Sequence, residues 1–507
     1  MIKRSAACLL LAALAFSVPA SVPTRASVEP AGSAIQGEAE LHARSFESLL
    51  EKGLEDQNAG DVFAASQAFT RAIERPEFEA LAPEVRHAIL HQAAGVAIES
   101  GQLQTALRQT QAALRLRQDE IDDWYRLASL QSNLGNADAS AEALRHLLTA
   151  WPDMADDLPQ SLIVHPIFLE RANDDARLAL LDALFDANWT YGGLGADPAW
   201  TELALLRLER QDAPGARAAI ARVRQPMDIV RLRTDRRFDA IVDRDDPRFD
   251  VASAAEAYVE AARHSTLEQP DRLELQTTLI TALLMTGRAE DALATADAVL
   301  ADLGTFSDSK DAVWVHNNRA IALRRLGRDE EAVAALTVAS ELREGGGLNV
   351  SQVLNLGALH TMLGQPDEAL EAIERVGHDI TGYGRMVEES VRFRAAIQQG
   401  DSDMADIALA QLALGQTDAP QVYLDALLVS GDLDPAAAAL PGLLEAPASR
   451  QALLDWAQTY RVLPPSPGEV IPRQHRARFL ARPDVQAVID RYGRIETHPI
   501  HDVRGIE

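Results

Sequence analysis

The sequence predicts an all-α fold, a superhelical solenoid of about nine to eleven stacked helical hairpins, some of them degenerate. Three observations predict it. A glycine is followed five residues later by an alanine seven times, at Gly60/Ala65, Gly101/Ala106, Gly287/Ala292, Gly327/Ala332, Gly364/Ala369, Gly400/Ala405 and Gly431/Ala436. Neighbouring copies lie 31 to 41 residues apart, the length of one two-helix unit. The composition is 47% hydrophobic but only 5% aromatic, which suits thin helical layers whose backbones approach closely. Each motif position has a mechanical purpose: glycine enters the tight turn without steric penalty, and alanine lets the second helix cross close to the first.

The elements follow in chain order. Met1-Ile2-Lys3-Arg4, an apolar run from Ala6 to Phe16 and Val18-Pro19-Ala20 read as a Sec-type signal peptide over residues 1–20, with an alternative cleavage point after Ala26. This predicts a periplasmic or secreted chain. Residues 21–44, rich in Ser, Pro, Gly and Ala, read as a disordered leader. Residues 45–152 hold the N-terminal repeats, the last carrying a degenerate Gly135/Ser140 pair. Residues 153–269 read as degenerate helical repeats around Gln211/Ala216, flanked by two 76-residue gaps that each leave room for one unrecognised unit. Tyr191-Gly192-Gly193-Leu194-Gly195 reads as a loop with no preceding strand, which rules out a dinucleotide-type phosphate cradle. Asp235-Arg236-Arg237-Phe238 and Asp246-Pro247-Arg248-Phe249 echo one another as turns anchored by a buried phenylalanine. A C-terminal array runs over 270–460. Beyond it, residues 461–507 hold a proline-rich break at Pro464–Gly468 and a segment expected to cap the open end of the solenoid.

Around the turn glycines other positions recur: Gly53, Gly60, Ala65, Phe69, Ala72 and Pro76 in the first unit, Trp124, Leu127, Ala128, Gly135 and Pro152 in the third. These residues resemble the tetratricopeptide repeat family, most closely in the stretches beginning at Asn317 and Leu354. The second-helix aromatic is often replaced by Leu, Ala, Val or Ile, and the periods exceed the family's 34, so the repeats read as tetratricopeptide-like with long connections.

Charge and cysteine content narrow the function classes. The formal charge is −28, and three lysines, Lys3, Lys52 and Lys310, stand against a large arginine excess that marks a GC-rich bacterial genome. So acidic a chain suits neither nucleic acid nor an anionic membrane surface. The expected partner is a protein or peptide of basic character. A solvated acidic exterior explains the same charge without any partner. The single cysteine, Cys8, precedes most of the apolar run, where a lipid-anchor box would place it afterwards. Cleavage after Ala20 leaves no thiol for disulfides, nucleophilic catalysis or metal binding.

No catalytic, cofactor or metal motif survives comparison with a structural explanation. His87 and His91 share a helix face, but Ala-Ile-Leu separates them, without the glutamate of a zinc-protease motif. His475, His498 and His501 read as a polar, flexible tail rather than a metal cluster. The binding candidates lie on the first helices of the C-terminal array. Asn318 and Asn355 both stand nine residues before a turn glycine. The family resemblance implies that such a ladder, flanked by Trp314, Asn317, Arg325 and His360, grips an extended peptide through its backbone. Hydrogen bonding between neighbouring hairpins is the alternative use of the same asparagines. The reading is therefore a non-catalytic periplasmic adaptor or scaffold. Its rivals are a subunit of an envelope assembly or secretion complex, and a helical-hairpin enzyme acting on cell-wall glycan through two facing carboxylates.

Overall fold

The computed structural model describes residues 45–169, 171–190, 195–307, 310–343, 347–377, 380 and 382–503. The signal peptide, the leader and most of the loop at 191–195 lie outside the described residues. Two compact units divide between Trp189 and Thr190, inside the segment the sequence assigns to degenerate repeats.

The first unit contains α1 (Phe46–Ala59) and α2 (Val62–Ile73), then the single turn α3 (Pro76–Glu79). Two further hairpins follow: α4 (Pro83–Glu99) with α5 (Leu103–Leu116), and α6 (Ile121–Asn133) with α7 (Ala137–Ala150). A short helix α8 (Gln160–Val164) runs into a π-turn over His165–Leu169, and α9 (Asp174–Asp186) packs on α7. In the first 76-residue gap, α7, α8 and α9 therefore follow one another with no glycine between them.

The second unit opens with α10 (Asp197–Glu209) and α11 (Ala213–Ile220). Next, α12 (Pro226–Thr234) packs on α13 (Val251–Glu268) across a long connection made of the two Asp-x-Arg-Phe turns. In each turn the aspartate accepts from the backbone N–H two residues on and pairs with that residue's guanidinium at 2.6 Å, while Phe238 and Phe249 are buried. Then come α14 (Leu273–Met285) with α15 (Ala289–Ala301), α16 (Ala312–Arg325) with α17 (Asp329–Glu341), and α18 (Val350–Leu363) with α19 (Pro366–Ile373). The last hairpins are α20 (Gly382–Gln399) with α21 (Ser402–Leu414) and α22 (Pro420–Val429) with α23 (Leu433–Glu445). Finally α24 (Pro447–Ala457), α25 (Val470–Leu480) and α26 (Pro483–Tyr492) close the chain.

One turn geometry joins the hairpins. The eight turn glycines, Gly135 among them, take positive φ from +72° to +86°, and Gln211 takes +62° at the same position. The next residue's N–H closes a six-to-one bond onto the helix just ended: Gln102 to Ala97, Arg288 to Leu283, Arg328 to Leu323, each at 2.8–2.9 Å. This is the glycine-dependent helix stop known as the Schellman motif. The same residue's carbonyl then accepts the first bond of the second helix, from the alanine four positions later, as Ala332 N to Arg328 O and Ala65 N to Asp61 O, both 3.0 Å. The five-residue spacing is thus the shortest route from helix stop to the first full turn of the next helix. That alanine is fully buried at Ala65, Ala106, Ala216, Ala292, Ala332, Ala369 and Ala436, and nearly so at Ala405. Ser140, its replacement, spends its hydroxyl on the Ala128 carbonyl of the facing helix at 3.1 Å.

In four hairpins the packing between paired helices is matched in volume seven residues before and nine after the turn. Gly53 faces the Phe69 ring and Gly357 faces Ile373; a Cβ at either glycine would lie within 3.0 Å of its neighbour. Elsewhere Ile280 is matched with Ala296 and Ala320 with Leu336, all buried. Small opposite large keeps the interhelix space filled without strain.

Candidate functional site

The candidate groove residues lie on α16 and α18, the first helices of two successive hairpins. Asn355 Nδ2 donates to Asn317 Oδ1 (2.9 Å), Asn317 Nδ2 to Asn318 Oδ1 (3.3 Å), and Asn318 Nδ2 to Thr281 Oγ1 on α14 (2.9 Å). Thr281 in turn donates to the Thr277 carbonyl (2.9 Å). The asparagines form one side-chain chain across three hairpins, and Asn317 and Asn318 are buried within it. Asn355 is half-buried at its end.

The other three candidates stand apart from this chain. Trp314 is half-buried in the first turn of α16, eleven residues and about 16 Å along the helix from Arg325. His360 Nδ1 lies 2.8 Å from Gln365 Oε1, across the Gly364 turn. Arg325 donates to the Leu284 carbonyl of the preceding hairpin and to the Asp502 carbonyl at 2.9 Å. Burial lowers its pKa to about 10; the neighbouring Arg324 adds to that, and Asp502 opposes it.

The partner of Arg325 reveals what the sequence did not. Within the segment 461–507, expected to hold a proline-rich break and a cap, residues on both sides of α25 and α26 run along the turn edge of the hairpins, where the first helices end. Glu469 is buried between Arg324 (2.6 Å) and Arg473 (2.5 Å) and accepts from Ser466 N (2.9 Å). At Gly468 a Cβ would fall 2.1 Å from the Thr361 carbonyl oxygen, so no larger residue fits this approach to α18. Helices α25 and α26 pack on the last hairpin, and Phe479, Val485 and Ile489 enter its core. The chain then extends. Arg494 N donates to Thr234 O, His498 N to Thr459 O, and His501 N to Met285 O, at 2.8 to 2.9 Å.

The three C-terminal histidines are accordingly separated and ordered. His475 contacts the Leu428 carbonyl beside the Gly431 turn, and His501 covers the Gly287 turn. His498 is buried against Tyr460. Burial lowers its pKa to about 4, opposed by Glu496 and assisted by Arg233. Among the described residues no group of three or more potential ligands is placed to hold a metal ion. The signals for this arrangement were present but ambiguous: Ser466 and Glu469 are spaced as a capping box, and Arg324 reads as an ordinary helix-end cation until its partner, 145 residues away, is known.

Two other polar clusters are structural in geometry. His87 Nε2 and His91 Nδ1 bracket the fully buried Asp123 at 2.7 and 2.8 Å, and Arg126 donates to the His91 carbonyl (2.9 Å), tying α4 to α6. Asp197 caps the turn before α12 by accepting from Arg224 N (2.5 Å) and Gln225 N. Nearby, Asp228 has its pKa raised to about 8, first by burial and then by the Asp197 charge, while Arg231 pulls the other way. Both carboxyls are buried.

Comparison with known proteins gives one family match over part of the chain and several distant structural likenesses. The tetratricopeptide repeat family model matches residues 124–153, the hairpin of α6 and α7. No match was found among curated proteins. Among solved structures, a tetratricopeptide repeat protein from Parabacteroides merdae is 13% identical, covering 70% of this chain and 98% of its own, with a TM-score of 0.32. The human IFIT1 dimer with m7Gppp-AAAA is 15% identical over 73% of this chain and 75% of its own (TM-score 0.33). Yeast Tom70 is 13% identical over 88% and 99% (TM-score 0.29). The fold defines an all-α helical-repeat protein, with a tetratricopeptide-like hairpin at 124–153.

Proposed function

We propose that this chain is a non-catalytic adaptor that binds a protein or peptide on the face formed by the first helices of α14 to α20, in the periplasm after Sec-dependent export. The observation that carries the reading is the polar chain from Thr281 through Asn318 and Asn317 to Asn355. It fixes three successive first helices in register and ends on a half-buried amide beside the half-buried Trp314 helix. An amide both donates and accepts, so Asn355 suits an extended backbone. The charge of −28 favours a basic partner over nucleic acid. No described helix is long and apolar enough to cross a membrane.

The test is a crosslinking pull-down from the cell envelope with the wild type and a Trp314→Ala, Asn355→Ala variant. Loss of one defined partner supports the adaptor and this face. Retention of the same partner by the variant excludes the face, and recovery of no partner by the wild type excludes the adaptor.

A second reading, permanent incorporation in an envelope assembly, is favoured by one observation. Met404, Ile407 and Leu414 form an apolar stripe along α21, exposed to 44%, 58% and 80%. Apolar stripes of this kind mark stable contacts.

A further inference from the structure

We propose that the turn edge of α16 and α18 is a second peptide-binding surface, specific for a proline-rich turn with glycine before glutamate, the form that Pro467–Glu469 takes here. In this chain its own strap, Arg461–Glu469, occupies that surface. The inference rests on the adaptor reading but concerns a different face from Asn355.

The receptor side is made of three features. Arg324 is almost wholly buried and presents its guanidinium to one carboxylate. The Thr361 carbonyl, held by Gln398 Nε2 at 2.7 Å, floors a site that admits only glycine. The Gly364 turn, held at φ +75°, lies in van der Waals contact with Pro467. A proline, a glycine and a carboxylate, in that chain order, are therefore read together.

The strap has the character of a ligand rather than of core. Val462 is 76% exposed, and Pro464, Pro465 and Pro467 are exposed as well. It is also folded by itself: Ser466 N donates to Glu469, Arg473 Nη1 donates to the Leu463 carbonyl (2.7 Å), and Arg473 Nη2 pairs with Glu469. It is tied to the hairpins by the Glu469–Arg324 ion pair, whose Coulombic gain is largely offset by desolvation, and by the close approach of Gly468 to α18. A tie of that kind exchanges readily for the same pair from another chain. The strap's tether supplies a high effective concentration, so a partner segment binds only when it is released.

The probe is a labelled peptide with the sequence of residues 461–473, titrated against the full-length protein. Binding to a Glu469→Gln variant is expected to be at least about tenfold tighter than to the wild type, because the tethered competitor is weakened. Adding Arg324→Gln, or replacing the peptide's glutamate by glutamine, is expected to abolish it. Hydrogen exchange on the wild type should show amides of 461–469 exchanging faster than those of α16 and α18. Equal binding to both proteins overturns the proposal, as does strap protection equal to that of the helices. A Glu469→Gln chain that still captures the envelope partner through the Asn355 face separates failure of this inference from failure of the adaptor reading.

Discussion

At the residue scale, the turn position is a steric filter. Gln211 holds φ +62°, a left-handed conformation that costs a β-carbon residue about 1 kcal/mol, so Gln211→Gly is expected to raise stability by about that amount in a urea melt. Ala332→Leu overfills a fully buried crossing and is expected to cost about 1–3 kcal/mol. Gly357→Ala meets the Ile373 Cγ2 methyl at 2.7 Å, and its cost should be smaller in a chain where Ile373→Ala has already removed that methyl. Asp228 titrates in the opposite sense to a paired surface acid. Its folded pKa, raised from 3.8 to about 8, makes the folded state bind the extra proton, so its contribution is fully present below about pH 3.8 and is lost progressively as pH rises from there through about 8. Asp228→Asn should flatten that alkaline loss in melts at pH 6 and pH 9. The turn glycines and crossing alanines were legible because backbone sterics permit few residues there. Asp228, Arg324 and Asp123 were not, because their roles are defined by partners distant in sequence.

Among the elements, hairpins with a short glycine turn announced themselves and the others did not. The pair α12 and α13 is joined over residues 235–250 by two aspartate-capped turns, so it carries no glycine and alanine signature even though its helices pack together. The asparagine ladder was legible as a recurrence. Its direction was not, since sequence position alone does not separate an amide that faces a peptide from one that bonds to the next hairpin. The proline-rich break was legible as a break, but the path of the following segment depends on Gly468, Glu469 and the buried histidine. His498 has a folded pKa of about 4 against an ordinary 6.5, so it contributes stability above about pH 6.5 that is lost as pH falls towards 4. That loss is about 3 kcal/mol. His498→Phe, which keeps the packing on Tyr460, should remove this acid dependence from hydrogen exchange of residues 494–503.

For the whole molecule, repeated hairpins leave the first helices of each array as a row of related surfaces, and under the proposed adaptor role the charge of −28 favours a basic partner for them. Fold alone does not assign a function; the assignment rests on the residues that end the asparagine chain. Placing a photo-crosslinking amino acid at position 355 in the otherwise native full-length protein, expressed in its own cells, tests this most directly. The account predicts a crosslink to one defined protein, reproduced at position 314 and absent at an outward position such as 338. Crosslinking only within the chain, or an indiscriminate set of proteins equal at all three positions, would contradict it.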